Sequence, residues 1–257
     1  MAFGAVELNF AYLGAPGEDK AARGPLAPAV TARFLPIAGQ RSDPAAPGPR
    51  FVHGSEGIGI YAAPDVSFDR RGFWEVTATL TIDGTRHRAP AAFEVLGASP
   101  IPAPGDAAPH TDHPIANAAG VDPRSIDSRA GAEVPIPDPE LHATTVAAAL
   151  DARRPLMVVV STPTYCQSRF CGPVTESVSA LAERHGDAMA FVHLEVWKNF
   201  EKRELNEAAA EWISPPGAEE AREPWVFVVG RDGRITHRFD NVASDAELEQ
   251  AVAEVTS

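Results

Sequence analysis

The chain has only two cysteines, Cys166 and Cys171, and they lie close together in the sequence. An apolar run at residues 156–160 precedes them, and a stretch with a helical pattern at residues 174–184 follows. Where a helix begins, its unpaired N–H groups and its dipole stabilise a thiolate. This placement predicts that Cys166 and Cys171 form a reversible disulfide and are the catalytic residues of a reaction that needs no cofactor.

The spacing of the two cysteines restricts the structure between them. On a regular helix, residues five apart have Cα atoms about 8 to 9 Å apart, beyond the disulfide limit of about 7 Å. A Cys166–Cys171 disulfide therefore requires residues 167–170 to leave helical geometry. We expect a loop there and a long helix that starts near Pro173, because the first helical turn does not use the N–H that proline lacks.

The composition bounds the classes of protein to which the chain belongs. Its 257 residues, 44% of them hydrophobic, suffice for one large or two ordinary domains. The net charge of −13 argues against nucleic acid as a partner. No apolar stretch approaches the roughly 20 residues that span a bilayer, so we expect no membrane span. The N-terminal residues lack the pattern of a signal peptide.

Residues 1–97 are predicted to be a β domain. The clearest strand is 73–82, where Trp74, Val76 and Leu80 alternate with polar residues, and Asp83-Gly84 predicts a tight hairpin turn. Further strands are expected at 6–13, 29–36, 57–62 and 91–96. Short strands with turns between them indicate an all-β sandwich. Residues 65–76 also resemble the late strands of small immunoglobulin-like domains of the bacterial envelope.

Residues 98–140 carry nine prolines and are predicted to be a semi-extended connector, laid over a domain surface. Residues 141–257 alternate helix and strand, which predicts an α/β domain. Helices are expected at 141–153, 173–185, 201–213 and 244–255, and strands at 155–161, 188–196, 225–229 and 235–239. The first two of these strands should be parallel, and the Asp232-Gly233 turn should make the last two antiparallel.

Residues 141–257 resemble the thioredoxin superfamily. Phe170-Cys171-Gly172-Pro173 is similar to the Trp-Cys-Gly-Pro of that family, and Pro224 stands directly before the third strand, where the family has a cis-proline. The resemblance implies a thioredoxin-like fold and a cis Glu223–Pro224 bond. It also implies a docking edge for a peptide or thiol, at Pro224 with Glu223 and Trp225.

The sequence departs from the family in the position of the second cysteine. The family places it after Gly-Pro, where this chain has Val174, and its partner here lies upstream. Counted from the strand end, Cys166 takes the nucleophile position, with Tyr165 in place of tryptophan beside the docking edge. Counted from the helix start, Cys171 takes it and gains the helix dipole. We favour Cys171 as the thiol of lower pKa.

Histidines raise an alternative function. His193 lies in the second α/β strand and is either a core residue or a proton relay or metal ligand near the cysteines. Copper chaperones of the Sco type share the thioredoxin fold and bind copper with two cysteines and a distant histidine. Their Cys-x-x-x-Cys-Pro motif is absent here. Three other histidines are expected to be exposed: His110 and His113 in the connector, and His142 on the surface of the first helix.

The leading prediction is a thiol–disulfide redox protein outside the cytoplasm, acting on thiols and disulfides of proteins or small molecules. The extracytoplasmic location follows from the layout of a β-sandwich tethered by a proline-rich connector. The first domain is predicted to be a binding or spacing module. The alternatives are a copper-binding or soft-metal-binding chaperone with Cys166 and Cys171 as ligands, alone or together with His193, and a non-catalytic interaction protein with a structural disulfide.

Overall fold

The computed structural model describes residues 6–15, 29–36, 59–166, 168, 170–214 and 223–257. The chain divides into two compact units. The first unit comprises Met1–Pro36 and Ala45–Ser99, and the second comprises Ile37–Pro44 and Pro100–Ser257. No helix in the described part of the chain has the length and apolar character needed to cross a membrane.

The first unit is built of antiparallel strands. These are β1 (Val6–Gly14), β2 (Val30–Pro36), β3 (Gly59–Ala62), β4 (Gly72–Ile82) and β5 (Thr85–Val95). They form one sheet in the order β3-β2-β1-β4-β5. The predicted all-β character is confirmed. This is the one sheet among the unit's described residues, so the sandwich stays a prediction. Residues 57 and 58 of the predicted third strand lie outside the described residues.

The β4–β5 hairpin confirms the predicted turn. Asp83 and Gly84 have φ angles of 48° and 77°, and Ile82 pairs with Thr85. Positive φ at both central residues is the geometry of a type I′ turn, whose twist matches that of the flanking strands. Strand β5 begins at Thr85, before the predicted start at residue 91, and it includes Pro90. A proline fits there because β5 is an edge strand, where a missing N–H need not break the sheet.

Aromatic rings pack against one another in the first unit. The ring of Phe68 lies 4.9 Å from that of Trp74, 5.3 Å from Phe93 and 5.4 Å from Phe10. Trp74 is buried, as the alternation in β4 predicts. Thr77 and Thr79 are also buried, although they belong to the predicted polar face, whereas Phe73 on that face is 42% exposed.

The second unit contains the remaining strands and all the described α-helices. The strands are β6 (Leu156–Ser161), β7 (Ala190–Glu195), β8 (Trp197–Asn199), β9 (Glu204–Leu205), β10 (Trp225–Val229) and β11 (Ile235–Asp240). The helices are α1 (Val146–Asp151), α2 (Cys171–His185), α3 (Glu207–Ile213) and α4 (Asp245–Thr256). The main sheet has the order β11-β10-β6-β7, and β8 and β9 form a separate hairpin. As predicted, β6 and β7 are parallel, and β10 and β11 are antiparallel.

The helices cover both faces of this sheet. Met157 and Val159 of β6 belong to a core with residues of α2 and α4, whereas Val158 and its neighbours on the other face pack with α1 and α3. Because both faces of β6 are buried, its sequence is a continuous apolar run. Each fully buried valine stabilises the fold by roughly 1.5–3 kcal/mol.

Two predicted helices are shorter than expected. Within 141–153 the chain forms the end of a 3₁₀ helix (Pro139–His142) and then α1, which Thr145 caps by accepting the Ala148 N–H. Within 201–213 the helix begins only at Glu207, because Arg203 has a φ of 55° and reverses the chain between β8 and β9. Leu205 therefore packs against the core from a strand.

The proline-rich segment 100–140 lies on the second unit. The Gly105 N–H donates to the Ile235 carbonyl oxygen at 2.8 Å, and the Ile235 N–H donates to the Asp106 carbonyl oxygen at 3.0 Å. This part of the segment therefore pairs with the start of β11. Further along, Ile126 and Asp127 are buried. The segment adds side chains to the core of the second unit and is more than a spacer.

Candidate functional site

A disulfide joins Cys166 to Cys171, with the two Cα atoms 6.0 Å apart. Cys166 lies in the loop after β6, and Cys171 is the first residue of α2. The Cα separation is shorter than a regular helix permits at this spacing, so the expected non-helical connection is present. Residues 167 and 169 of the predicted loop lie outside the described residues. The helix begins at Cys171, slightly before the predicted start.

Ser168 organises the loop around the disulfide. Its Oγ lies 3.3 Å from Cys166 Sγ and donates a hydrogen bond to the Glu223 carbonyl oxygen at 3.2 Å. The Phe170 N–H donates to the same Oγ at 3.4 Å. One hydroxyl group thus connects the cysteine loop to Glu223, the residue before Pro224.

The Glu223–Pro224 peptide bond is cis, as the resemblance implied. A carboxylate oxygen of Glu223 and the sulfur atoms of Cys166 and Cys171 all lie within 4.8 Å of one another. The structure therefore brings Glu223 to the disulfide. A carboxylate at this distance opposes the formation of a thiolate, whereas the N-terminus of α2 favours it.

Aromatic residues flank the site. Tyr165 stacks on Phe200 with ring centroids 4.0 Å apart, and Trp197 meets Phe200 edge-on at 5.6 Å. Phe200 is 38% exposed. Trp225 follows Pro224, but its ring stacks on Phe227 and lies 5.3 Å from the Arg238 guanidinium. The aromatic surface beside Cys166 is therefore formed by Tyr165 and Phe200.

The two cysteines differ in accessibility. Cys171 is fully buried, whereas Cys166 is half-buried. The Cys171 N–H donates to Cys166 Sγ at 3.4 Å, so the half-buried sulfur is the one that the N-terminus of α2 contacts. The preference for Cys171 as the attacking thiol therefore lacks support, because a partner cannot reach a buried sulfur.

His193 is placed away from the cysteines. It groups with Asp127 and His142, and the atoms of these three residues that can bind a metal all lie within 4.8 Å of one another. We call these three residues the histidine cluster. His193 was an optional third ligand in the copper alternative, and the structure groups it with Asp127 and His142 while Glu223 is the third group beside Cys166 and Cys171.

The histidine cluster is buried and charged. The side chains of Asp127 and His193 are fully buried, and that of His142 is almost so. Asp127 Oδ2 lies 3.4 Å from His142 Nε2 and 3.3 Å from His193 Nδ1, and it accepts a hydrogen bond from Arg129 Nη2 at 2.7 Å. Burial alone would raise the pKa of Asp127, but the two histidines and Arg129 hold that pKa well below its usual range.

The net pKa shifts of the two histidines of the cluster have opposite directions. Burial lowers the pKa of His142 despite the neighbouring Asp127. For His193 burial also acts to lower the pKa, but Asp127 and Glu195 outweigh it, and the net pKa is raised. The pKa of Glu195, itself buried, is raised by desolvation.

Hydrogen bonds extend from the histidine cluster towards α2. His193 Nε2 lies 3.0 Å from Ser161 Oγ, and Ser161 Oγ lies 2.7 Å from Thr175 Oγ1. Thr175 is four residues after Cys171, one turn further along α2. Buried polar side chains thus connect β7 to the helix that carries the disulfide.

The expected exposure of the other histidines is correct for one of three. His110 is exposed and pairs with Asp151 at 2.9 Å. The prediction for His142 is wrong, because the 3₁₀ helix turns this residue into the core, where it is 2% exposed. His113 is half-buried and its Nε2 accepts the Val146 N–H at 3.2 Å, so it caps the start of α1.

The sequence reasoning missed Asp127 and Glu195. Glu195 Oε2 accepts the Ser128 N–H at 2.8 Å, and Ser128 Oγ accepts the Thr164 N–H at 3.1 Å, so Glu195 supports the loop that leads to Cys166. One signal was present, since His193 and Glu195 are two apart and hence share a face of a buried strand. No comparable signal marked Asp127, which lies in the proline-rich segment.

Comparison of the whole chain with protein-family models, with curated proteins and with solved structures finds no match.

Proposed function

We propose that this protein is a thiol–disulfide redox protein whose second unit is a thioredoxin-like domain. The observation that carries the proposal is the Cys166–Cys171 disulfide at the start of α2, with the residue before cis-Pro224 bonded to its loop. A structural disulfide needs no such neighbours, whereas a disulfide that exchanges with a partner needs an edge on which the partner docks.

The element order of the second unit supports the fold assignment. Strand β6, helix α2 and the parallel strand β7 are followed by α3, the antiparallel β10–β11 pair and α4. This is the order expected from the thioredoxin resemblance, with helices on both faces of the sheet. The antiparallel sheet of the first unit likewise supports an immunoglobulin-like β domain, which we propose as a binding or spacing module.

We assign the attacking thiol to Cys166. In the reduced protein its thiolate attacks one sulfur of a partner disulfide, forms a mixed disulfide and releases the other partner sulfur as a thiolate. The Cys171 thiolate then attacks Cys166 Sγ and releases the second partner thiol. The protein is oxidised to the Cys166–Cys171 disulfide, and the partner is reduced to its dithiol. The reverse sequence oxidises a partner.

The surroundings of Cys166 support this division of roles. Its sulfur is half-buried and accepts the Cys171 N–H, as a thiolate at a helix N-terminus does. Burial of Cys171 suits a resolving thiol, which must reach only the neighbouring sulfur. Phe200, which is 38% exposed, and the half-buried Tyr165 stacked on it offer a partly exposed aromatic surface to the apolar part of a partner.

The copper-chaperone alternative is less well supported. His193 belongs to the histidine cluster, and the third group near the two sulfurs is the Glu223 carboxylate. Soft ions such as Cu(I) prefer thiolate ligands to carboxylate oxygen.

We propose an extracytoplasmic location because stable disulfides persist in oxidising compartments.

Single-cysteine variants test the function directly, because each retains one thiol. We expect Cys171→Ser, which keeps the half-buried thiol, to form a mixed disulfide with a small aromatic disulfide and with a disulfide-bonded peptide. Cys166→Ser should react at least about tenfold more slowly, since its remaining thiol is buried. The measurement is the rate of mixed-disulfide formation, followed by absorbance and mass spectrometry from pH 5 to 9.

Equal rates for the two variants would contradict the assigned roles. Failure of both variants to react, with a reduction potential for the wild-type disulfide below about −300 mV, would instead identify a structural disulfide. The double Cys→Ser variant, which has no thiol, is the control for non-specific reaction.

A further inference from the structure

We propose that Asp127, His142 and His193 bind one divalent transition-metal ion, Zn²⁺ by preference, through Asp127 Oδ2, His142 Nε2 and His193 Nδ1. Imidazole nitrogen and carboxylate oxygen are the donors that such ions take in sites with two histidines and one carboxylate. This site is separate from the cysteines and is independent of the proposed redox function.

The distances between the three donor atoms suit a shared ion. Asp127 Oδ2 lies 3.4 Å from His142 Nε2 and 3.3 Å from His193 Nδ1. Both distances exceed the usual N–H···O range of about 2.7–3.2 Å. Two ligands that each lie about 2.1 Å from a tetrahedral Zn²⁺ are separated by about 3.4 Å. The donors of all three residues lie within 4.8 Å of one another, so a modest movement of the two imidazoles would bring them around one ion.

The Nδ1 atom of His193 has no hydrogen-bond partner among the described residues, although it is fully buried and faces Asp127. A buried nitrogen without a partner loses the hydrogen bond that it would make to water and gains nothing in exchange. The short approach to Asp127 is thus an ionic contact without hydrogen-bond geometry. A metal ion between the two atoms would satisfy both.

The neighbours of the cluster hold its donors in place. On the far side of its ring, His193 Nε2 lies 3.2 Å from the Ser161 carbonyl oxygen. A metal-binding histidine characteristically donates its second ring N–H to a backbone carbonyl group, which fixes the orientation of the ring. The Arg129 guanidinium binds both carboxylate oxygens of Asp127, at 3.0 and 2.7 Å, and so fixes the carboxylate as well.

Arg129 does not prevent metal binding. A carboxylate oxygen has two lone pairs, so Asp127 Oδ2 can accept from Arg129 and coordinate an ion at the same time. Asp138 also accepts a hydrogen bond from Arg129 at 2.7 Å and offsets the positive charge of the guanidinium. The cluster therefore retains a ligand of negative charge beside two imidazoles.

The site would join three parts of the second unit. Asp127 belongs to the proline-rich segment, His142 ends the 3₁₀ helix before α1, and His193 lies in β7. An ion bound by all three residues would connect the proline-rich segment to β7, near the loop that leads to Cys166. With three protein ligands, a four-coordinate ion keeps one position for water.

Metal content of the oxidised protein tests the proposal, because the disulfide leaves no thiol to bind an ion. We refold the full chain with Zn²⁺, remove free metal by gel filtration and verify by a thiol reagent that no thiol is present. We expect about one Zn²⁺ per chain by elemental analysis. X-ray absorption at zinc should show nitrogen and oxygen ligands, including imidazole, and no sulfur. At a hundredfold excess over Kd, Zn²⁺ should raise Tm by about 5 °C or more relative to chelator.

Variants locate the bound ion. Asp127→Asn and His193→Gln should retain less than about a tenth of the wild-type zinc, whereas the double Cys→Ser variant and His110→Gln, at an exposed histidine, should retain all of it. The wild-type measurements decide the outcome even if a cluster variant fails to fold. Oxidised wild-type protein that holds less than about 0.1 Zn²⁺ per chain, or holds it through sulfur, would overturn the proposal.

Discussion

The cysteine site and the histidine cluster lie in the same unit but are constructed in opposite ways. The cysteines are neighbours in sequence, and their disulfide is half-buried at the start of a helix. The histidine cluster draws its members from three distant segments and is buried and charged. The first site can meet a partner from solution, whereas the second can act only on the protein itself or on an ion enclosed within it.

This contrast explains why the sequence alone indicates the cysteine site but not the histidine cluster. The chemistry of two cysteines beside a helix start can be predicted from the local sequence, because the α2 N-terminus that acts on them is the next element in the chain. The role of a histidine in an apolar strand cannot be predicted until its neighbours in space are known. Four changes, from the largest expected effect to the smallest, test how far the two sites differ.

Asp127→Ala should have the largest effect, on stability. It removes the buried carboxylate that pairs with Arg129 and faces two buried histidines, so the histidines lose the charged partner that they share, while Arg129 keeps Asp138 as an ion-pair partner. The free energy of unfolding should fall by about 3–5 kcal/mol, measured by urea denaturation. Asp122→Ala is the matched control, since Asp122 is half-exposed, caps the short 3₁₀ helix Pro123–Ser125 and pairs with Arg124, with an expected loss of about 1 kcal/mol. Equal losses would mean that the cluster contributes no more than a cap.

Removal of the disulfide should have a smaller effect. The Cys166–Cys171 loop is short, so the double Cys→Ser variant should lose about 2 kcal/mol of unfolding free energy through chain entropy. Urea denaturation of wild-type protein with and without reductant provides the same comparison without a substitution. A loss larger than that of Asp127→Ala would reverse the contrast between the two sites.

Ser168→Ala tests the link between the cysteine loop and Glu223. It removes the hydroxyl group that contacts Cys166 Sγ and bonds the Glu223 carbonyl oxygen. Loss of one such hydrogen bond costs about 1 kcal/mol, which should shift the dithiol–disulfide equilibrium about fivefold towards the dithiol. Equilibration with glutathione and counting of free thiols measure this shift. Ser177→Ala, which removes a hydrogen bond to Asp245, should leave the equilibrium unchanged.

Glu223→Gln should have the smallest effect of the four changes. Unlike the other three, which weaken the fold or the disulfide, it should make the cysteine site more reactive. The Glu223 carboxylate disfavours a nearby thiolate, so its neutralisation should lower the pKa of the Cys166 thiol in the Cys171→Ser background. Mixed-disulfide formation at neutral pH should become about twofold faster. A slower reaction would mean that Glu223 takes up the thiol proton and promotes the attack.

Much of the second unit was predictable because its signals are local. The apolar run at β6 and the Asp232-Gly233 turn between β10 and β11 were each recognised and are each present. The errors occur where tertiary contacts override local pattern. The predicted helix at 201–213 begins only at Glu207 because a left-handed Arg203 reverses the chain before it, and the periodicity of apolar residues does not indicate such a reversal.

The sequence by itself determined that Cys166 and Cys171 can pair only across a non-helical connection, because the Cα distance follows from their spacing alone. Only the tertiary structure decided which sulfur is accessible and which residues meet His193. Accessibility depends on what packs over each atom. The partners of His193 come from a proline-rich segment and a 3₁₀ helix whose positions are set by contacts with the sheet.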